Sequence, residues 1–345
     1  MTEKIMVGMS GGVDSSVTAL VLKKQGYSLC GATLFLCGNS DEKNAQDSLS
    51  VCNKLGIEHF IFDLKTEFSE TVINDFIAEY KRGNTPNPCI VCNRCIKFGE
   101  MIDLALQNGC NKIATGHYAR VEKSSNGRFL LKKAVDESKD QSYVLYMLTQ
   151  EQLSRVVLPL GEYSKSEVRA LALESELICA DRPDSQDICF VPEGEYINVI
   201  KSYTNKAYPQ GDFVDILGNK LGTHGGIINY TVGQRKGLGV AFGEKMYVKE
   251  KNVHTNEVVL AKNEDLFSNS LDASHFNWIA FDNPPPSIRA KAKVRYSTKE
   301  DDCTVFITGK SDVHIEFDSS QRAIAKGQAV VLYDGDIVIG GGTIS

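Results

Sequence analysis

KIMVGMSGGVDSSVTALVLKKQGY, residues 4–27, decides the fold. The first six residues are a short apolar run, and from residue 17 apolar positions recur at helical spacing. Between them stands SGGVDSS (10–16), so the segment reads as strand, glycine-rich turn, helix. Outward from it the alternation continues. SLCGATLFLC (28–37) and EHFIFDL (58–64) read as strands, and DSLSVCNKLGI (47–57) and FSETVINDFIAEYKRG (68–83) as helices. KFGEMIDLALQNG (97–109) reads as a further helix and CNKIATGHYARV (110–121) as a further strand. Strands and helices alternating at this pitch imply a parallel sheet covered on both faces.

Beyond residue 204 helical periodicity fades and short alternating runs such as IRAKAKVRY (288–296) take over, with FDNPPPS (281–287) as a stiff connector. The expected organisation is therefore an α/β domain over 1–203, a small central module over 204–264 and a β domain over 265–345. No repeat or low-complexity tract interrupts it. The 345 residues are 42% apolar and 24% charged with net charge −6, an ordinary globular composition that argues against a nonspecific nucleic-acid coat. The N-terminus has no signal region, and no apolar run approaches the ~18 residues of a membrane helix. A cytoplasmic protein with no membrane partner is expected, its ten cysteines being thiols.

SGGVDSS has the anion-binding logic of a helix N-terminus: glycines let backbone N–H groups close on a phosphate, and Ser10, Ser15 and Ser16 add hydroxyls. It is neither a Walker A loop, lacking the lysine, nor a dinucleotide fingerprint. Asp14 makes sense among phosphates only if it binds Mg²⁺ or is itself held by the loop. TPNPCIVCNRCIKFG (85–99) spaces Cys89, Cys92 and Cys95 three apart, which leaves zinc, an iron–sulfur cluster and sulfur handling open. A buried small hydrophobe is the bland reading of any free thiol. It suits Cys30, Cys37, Cys52, Cys110, Cys179 and Cys303 by texture, and Cys95 with them. Cys92 and Cys189 stand in Pro- or Asp-rich segments that read as loops, where function concentrates.

S-G-G-x-D-S-S after an N-terminal strand resembles the PP-loop of N-type ATP pyrophosphatases, which adenylate a substrate and release pyrophosphate. The loop is followed by TPNPCIVCNRCIKFG, ATGHYARV (114–121), KDQSYVLY (139–146), DSQDICFVP (184–192), NYTVGQRKGLG (229–239) and GQAVVLYDGD (327–336). In order and over nearly the full length, the set resembles the bacterial tRNA-specific 2-thiouridylase family. The resemblance implies a Rossmann-like PP-loop ATPase domain, then a small module and a C-terminal β-barrel-like domain. It implies ATP-dependent exchange of the C2 oxygen of a wobble uridine for sulfur. ATP and Mg²⁺ would be used, with tRNA and a persulfide sulfur-donor protein as partners.

The resemblance also assigns residues. Gly8, Met9, Ser10, Gly11, Gly12, Val13, Asp14 and Ser15 would hold ATP, with Leu34 at adenine and Gly116 where the nucleotide approaches the backbone. Cys189 would carry the persulfide and Cys92 would be the second thiol. Asn87, Pro88, Cys89, His117, Lys139, Asp140, Gln141, Arg295, Tyr296 and Gln328 would meet tRNA. Arg289, Lys291, Lys293 and Arg295, two apart, would put four cations on one strand face.

Two departures mark this chain. Cys89 stands where well-known members carry aspartate, so Cys89, Cys92 and Cys189 could also ligate a 4Fe–4S cluster with one iron open to sulfide. Dithiol chemistry ranks ahead of the cluster, and the cluster ahead of zinc. HGGIINYT (224–231) lacks a lysine and a second histidine that relatives often have, so some tRNA contacts of the central module are expected to be lost. An amidating PP-loop enzyme and a noncatalytic RNA-binding protein are the competing readings. Neither needs both Cys92 and Cys189.

Overall fold

The computed structural model describes residues 3–37, 41–180, 188–191, 196–204, 208–240 and 243–345. Of the segment 184–192 it thus describes only 188–191.

β1 (Lys4–Gly8), β2 (Ser28–Phe35), β3 (Glu58–Asp63), β4 (Lys112–Ala114) and the two-residue β7 (Val156–Val157) form a parallel sheet in the order β3-β2-β1-β4-β7. β1 therefore lies between β2 and β4, and the crevice outside its C-terminal end is where open α/β sheets bind ligands. Helix α1 (Val13–Lys24) follows β1 directly, and its apolar residues are not confined to one stripe. Val13 and every residue from Ser15 to Leu22 are buried, because other elements cover the outer side of the helix as well. Helix α2 (Asp41–Leu55) starts earlier than 47, on two acidic residues that suit a helix N-terminus.

Two segments differ from the sequence reading. The cysteine segment is no loop: one helical run covers 88–107, with Asn87 accepting the Cys89 N–H at 3.2 Å as N-cap and Pro88 in the first turn. Its middle, Asn93–Glu100, is π-helical. Nor is 110–121 one strand. β4 stops at Ala114, residues 115–118 leave the sheet, and β5 (Ala119–Lys123) pairs with β6 (Phe129–Lys133) in a hairpin belonging to another sheet.

That other sheet is the C-terminal barrel. β12 (Phe267–Trp278), β13 (Ser287–Lys293), β14 (Asp301–Ile307), β15 (Val313–Arg322), β16 (Ala329–Asp334) and β17 (Ile337–Ile344) run in the order β12-β15-β14-β13-β16-β17, and β12 pairs again with β17. The closed ring removes the free edges an open sheet would expose. The β5–β6 hairpin docks on β17, with Lys133 N–H donating to Asp336 at 2.7 Å and Arg120 bridging the Asp336 carboxylate at 2.7 Å. A side chain at Gly341 would strike the Tyr146 ring at 2.6 Å, so glycine there lets the first domain seat an aromatic on the barrel. Tyr143, Tyr146 and Tyr333 are fully buried in this seam, and each stabilises it by roughly 2–3 kcal/mol. The barrel is thus a fixed wall of the first domain.

The central module holds β8 (Gly211–Val214), β9 (Lys220–His224), β10 (Tyr247–Asn252) and β11 (Glu257–Ala261) in the order β10-β11-β8-β9. Its core residues Phe213, Val248, Val258 and Leu260 join one apolar cluster with Phe68, Phe76 and Cys92 of the first domain. His224 is buried there: Nδ1 accepts from Gly226 N–H at 3.2 Å while Nε2 faces the Asn256 carbonyl at 3.1 Å. The histidine this chain retains in HGGIINYT is therefore a core residue.

Residues 115–118 owe their course to Gly116. A Cβ there would come within 2.9 Å of the Asp14 backbone carbon and the Ser15 nitrogen, closer than real Cβ atoms approach. Gly116→Ala should therefore displace the first turn of α1 and destabilise the protein by about 1–3 kcal/mol, the usual effect of overpacking. Thermal denaturation checks this, and an unchanged melting temperature contradicts it.

Candidate active site

Three loops meet at the C-terminal edge of the parallel sheet: Met9–Gly12 after β1, residues 36–37 after β2 and Thr115–Tyr118 after β4. Gly11 is left-handed (φ 73°), and Gly12 opens α1 without a side-chain cap, which leaves the first-turn N–H groups to meet an anion. Ser15 and Ser16 turn their hydroxyls back to the Gly12 carbonyl at 3.2 and 2.8 Å, and Ser15 also accepts the Ser10 N–H at 3.2 Å. These bonds fix the loop before any ligand arrives. Leu34, which the family resemblance assigns to adenine, ends up half-buried near the end of β2, and Gly8 closes β1 against Met101. Gly116, expected where the nucleotide approaches the backbone, lies against the first turn of α1.

Asp14 is held by the protein. Its Oδ1 accepts from Tyr118 Oη at 2.8 Å and from Lys165 Nζ at 2.7 Å. Lys165 is the residue that sequence reading missed. The signal was present in SKSE (164–167), a capping box in which Ser164 accepts the Glu167 N–H and Glu167 accepts the Ser164 N–H at 2.7 Å. A cation in the first turn opposes the helix dipole, and the ion pair with Asp14 offsets that cost. Although the loop lacks a Walker lysine, a lysine from a distant helix therefore stands beside it.

Cys92 is 6% exposed within the helical run, and burial pushes its thiol up to about 11 against the opposing pull of Lys97. Cys89, three residues earlier, is exposed, and Cys95 is half-buried against the apolar cluster that contains Cys92. Cys189 is exposed on a turn closed by Val191 N–H to Ile188 O at 2.9 Å. Phe190 anchors that turn edge-on against Phe68 and Phe76, at 5.7 and 5.3 Å between centroids. Cys37, read from sequence as a structural thiol, is instead a neighbour of the site: its Sγ donates to Cys189 Sγ at 4.0 Å. That bond, aided by Lys97, outweighs burial and lowers the Cys189 thiol to about 7. Charge on Cys189 adds to the upward push on the Cys92 thiol. The turn that carries Cys189 thus faces the helical run, Lys97 and the end of β2.

The residues expected at tRNA gather at the seam with the barrel, many with internal duties. Asp140 is buried, accepting from Ala134 and Ser142 N–H at 3.1 and 3.2 Å and from the Ser142 hydroxyl at 2.7 Å. Lys139 N–H donates to Asp136 O at 3.0 Å, and Gln141 Oε1 accepts the Tyr118 N–H at 2.9 Å. His117 is buried, paired to Thr115 Oγ1 at 2.8 Å and tilted against Phe98; burial holds it neutral. Tyr296 is exposed, its hydroxyl donating to Asp140 O at 3.2 Å. Gln328 Nε2 donates to Thr85 O at 2.6 Å, tying the barrel to the start of TPNP and so to Asn87 and Pro88.

The expected stripe of four cations is a stripe of three. Arg289, Lys291 and Lys293 alternate outward on β13. Arg295 lies past the strand end, half-buried, and donates to the carbonyls of Val232 (3.2 Å) and Ala323, bracing the central module to the barrel.

A parallel sheet with a glycine loop at its switch point and thiols gathered at the same edge defines a PP-loop, ATP-using enzyme, here with two appended β domains. The family described as "tRNA methyl transferase HUP domain" matches residues 3–193, its "PRC-barrel domain" 197–262, and "Aminomethyltransferase beta-barrel domain" 268–344. The chain is 48% identical over 355 residues to the tRNA-specific 2-thiouridylase MnmA of Clostridioides difficile strain 630, covering 100% of this chain and 98% of that protein. It is 46% identical to the protein of the same name from Lachnoclostridium phytofermentans, with 99% of each chain covered, and 48% identical to that from Acetivibrio thermocellus, again with 99% of each. The chain belongs to the tRNA-specific 2-thiouridylase family.

The lowered Cys189 thiol carries a pH signature. Thiolate should dominate above about pH 7, so iodoacetamide should alkylate Cys189 with a rate that half-rises near that pH. Cys37→Ala, which removes the hydrogen bond to the thiolate, should move the midpoint upward. A wild-type midpoint at the ordinary thiol value of about 8.5 contradicts the assignment.

Proposed function

We propose that this chain replaces the C2 oxygen of a tRNA wobble uridine by sulfur, using ATP and a persulfide carried on Cys189. The observation that carries the reading is one edge of one sheet holding both an uncapped anion loop and a depressed, exposed thiol, Cys189, whose neighbours Ile188 and Phe190 pack on the apolar cluster that contains a second thiol, Cys92. An amidating enzyme or a noncatalytic RNA-binding protein would need neither thiol there. ATP adenylates the uridine oxygen and pyrophosphate leaves. The loop and Lys165 meet the phosphates, and Asp14 Oδ2 is the oxygen that would meet Mg²⁺, since both protein donors fall on Oδ1. The outer sulfur of the Cys189 persulfide bonds to C2, and AMP departs with the oxygen. Cys92 thiolate then attacks Cys189 Sγ, and the bond to the outer sulfur breaks. Its electron pair completes the thiocarbonyl, and a Cys92–Cys189 disulfide remains. Once a dithiol reductant has supplied two electrons and opened that disulfide, a persulfide-bearing donor protein recharges Cys189, whose exposure suits that delivery.

A 4Fe–4S cluster on Cys89, Cys92 and Cys189 is less well supported. Among the described residues no three His, Cys, Asp or Glu side chains come together as a metal-holding group, and Cys89 is exposed where Cys92 is buried. For tRNA we propose the seam around Asn87, Cys89, Tyr296 and Gln328, with β13 as its electrostatic flank. The Arg289–Asp318 pair on that strand is about half exposed on both sides (55% and 51%), so solvent screens it and it yields to a phosphate.

Cys92→Ser and Cys189→Ser should each lower thiolation by three or more orders of magnitude while tRNA-dependent pyrophosphate release persists. Undiminished 2-thiouridine in either variant, measured by nucleoside mass spectrometry, rejects the dithiol reading. Replacing Arg289, Lys291 and Lys293 together by glutamine should weaken tRNA binding and reduce its log–log salt slope by roughly one unit per lost phosphate contact. A slope equal to wild type returns β13 to an ordinary solvated face.

A further inference from the structure

The dithiol route uses Cys92 and Cys189 and leaves a third thiol at the same edge without a task. Cys37 stands two residues beyond the end of β2, and its Sγ lies 4.0 Å from that of Cys189 although 152 residues separate them in sequence. Cys37, Ile188 and Phe190 all pack on the apolar cluster that contains Cys92, so the Cys189 turn and both other thiols share one support. The three differ in access. Cys92 is 6% exposed, Cys37 is intermediate and Cys189 is exposed. A disulfide between Cys92 and Cys189 therefore keeps one sulfur inside the core and leaves a reductant only the Cys189 sulfur to attack.

We propose that Cys37 is the recovery thiol of the cycle, taking Cys189 away from Cys92 by thiol–disulfide exchange and moving the disulfide outward to Cys37–Cys189. The inference rests on the dithiol reading given above. In atoms, Cys37 thiolate attacks Cys189 Sγ. The Cys92–Cys189 bond breaks and its electron pair leaves on the Cys92 sulfur, which takes up a proton equivalent to the one Cys37 gave up. The exchange has no net oxidation or reduction. A dithiol reductant then supplies two electrons to the Cys37–Cys189 disulfide and is itself oxidised to a disulfide, returning both thiols.

The surroundings of Cys37 give this step its order. While Cys189 is a thiolate, the hydrogen bond that Cys37 donates to it is the largest cause holding the Cys37 thiol protonated, ahead of burial. Once Cys189 is bonded to Cys92 it carries no charge, and that cause is gone. Cys37 then ionises more readily at the stage that needs a nucleophile, and exchange goes through the thiolate.

The test is a single turnover of the full chain with tRNA, ATP and one equivalent of a persulfidated donor, without reductant. It is quenched with N-ethylmaleimide and mapped by peptide mass spectrometry. Wild type should yield the Cys37–Cys189 disulfide with Cys92 alkylated. Cys37→Ser should yield Cys92–Cys189 instead. With dithiothreitol present it should make about one product per chain and then turn over roughly tenfold more slowly than wild type. A wild-type map showing Cys92–Cys189 with Cys37 alkylated overturns the recovery role by itself and leaves the dithiol reading standing, as does a steady state unchanged in Cys37→Ser. All three thiols alkylated after product has formed overturns both. Because the mapping is done on the wild-type chain, the result does not depend on the variant folding.

Discussion

The first turn of α1 is clamped from two sides, and the geometry of the edge follows from that clamp. On one side the chain leaving β4 presses its backbone onto Asp14 and Ser15, at a distance only glycine allows. On the other, Lys165 and Tyr118 hold the Asp14 carboxylate. A partly exposed ion pair alone would be a modest fastening. Combined with steric contact, it leaves the helix N-terminus one position relative to β4. The N–H groups that would meet a polyphosphate are thereby oriented beforehand, which is the condition for electrostatic catalysis without reorganisation. The same loop continues into His117 and Tyr118, so it also sets where Phe98 and the cysteine helix lie.

The two β domains extend this rigidity. The barrel accepts Tyr143 and Tyr146 into its wall and returns Thr85 N–H to Lys326 O at 2.8 Å and Gln328 to Thr85. The central module joins its core to Cys92 and the helical run 65–81, and Lys251 reaches back to Asn84 O at 3.3 Å. The segment that enters the cysteine helix is thus bound on both flanks by domains far away in sequence. A uridine presented at the seam would meet a wall built from three parts of the chain.

Much of this was legible in the sequence. Strand, glycine turn and helix at 4–27 were readable because local backbone chemistry determines them, and the alternation after them gave the sheet. The helix at Pro88 carried a legible signal, Asn at the N-cap and Pro in the first turn, but the cysteines drew attention to loop chemistry instead. ATGHYARV looks continuous as a strand, and its break at Thr115 comes from a tertiary contact that no local pattern encodes. Arg295 keeps the alternation of β13 on paper, yet the strand ends at Lys293 and the guanidinium turns inward to two carbonyls. Cys37 could not be read at all, because its environment is made by a turn 152 residues away. Lys165 could have been flagged as a helix start, though not as the partner of Asp14.

The central claim is that one edge of the parallel sheet both activates a tRNA uridine with ATP and delivers sulfur to it. The most direct measurement is to follow pyrophosphate and 2-thiouridine together, using the purified chain with tRNA, ATP and a persulfidated donor. The account predicts pyrophosphate release that requires tRNA and matches 2-thiouridine one for one. Pyrophosphate released equally well without tRNA, or released with tRNA and donor but no 2-thiouridine formed, would contradict it.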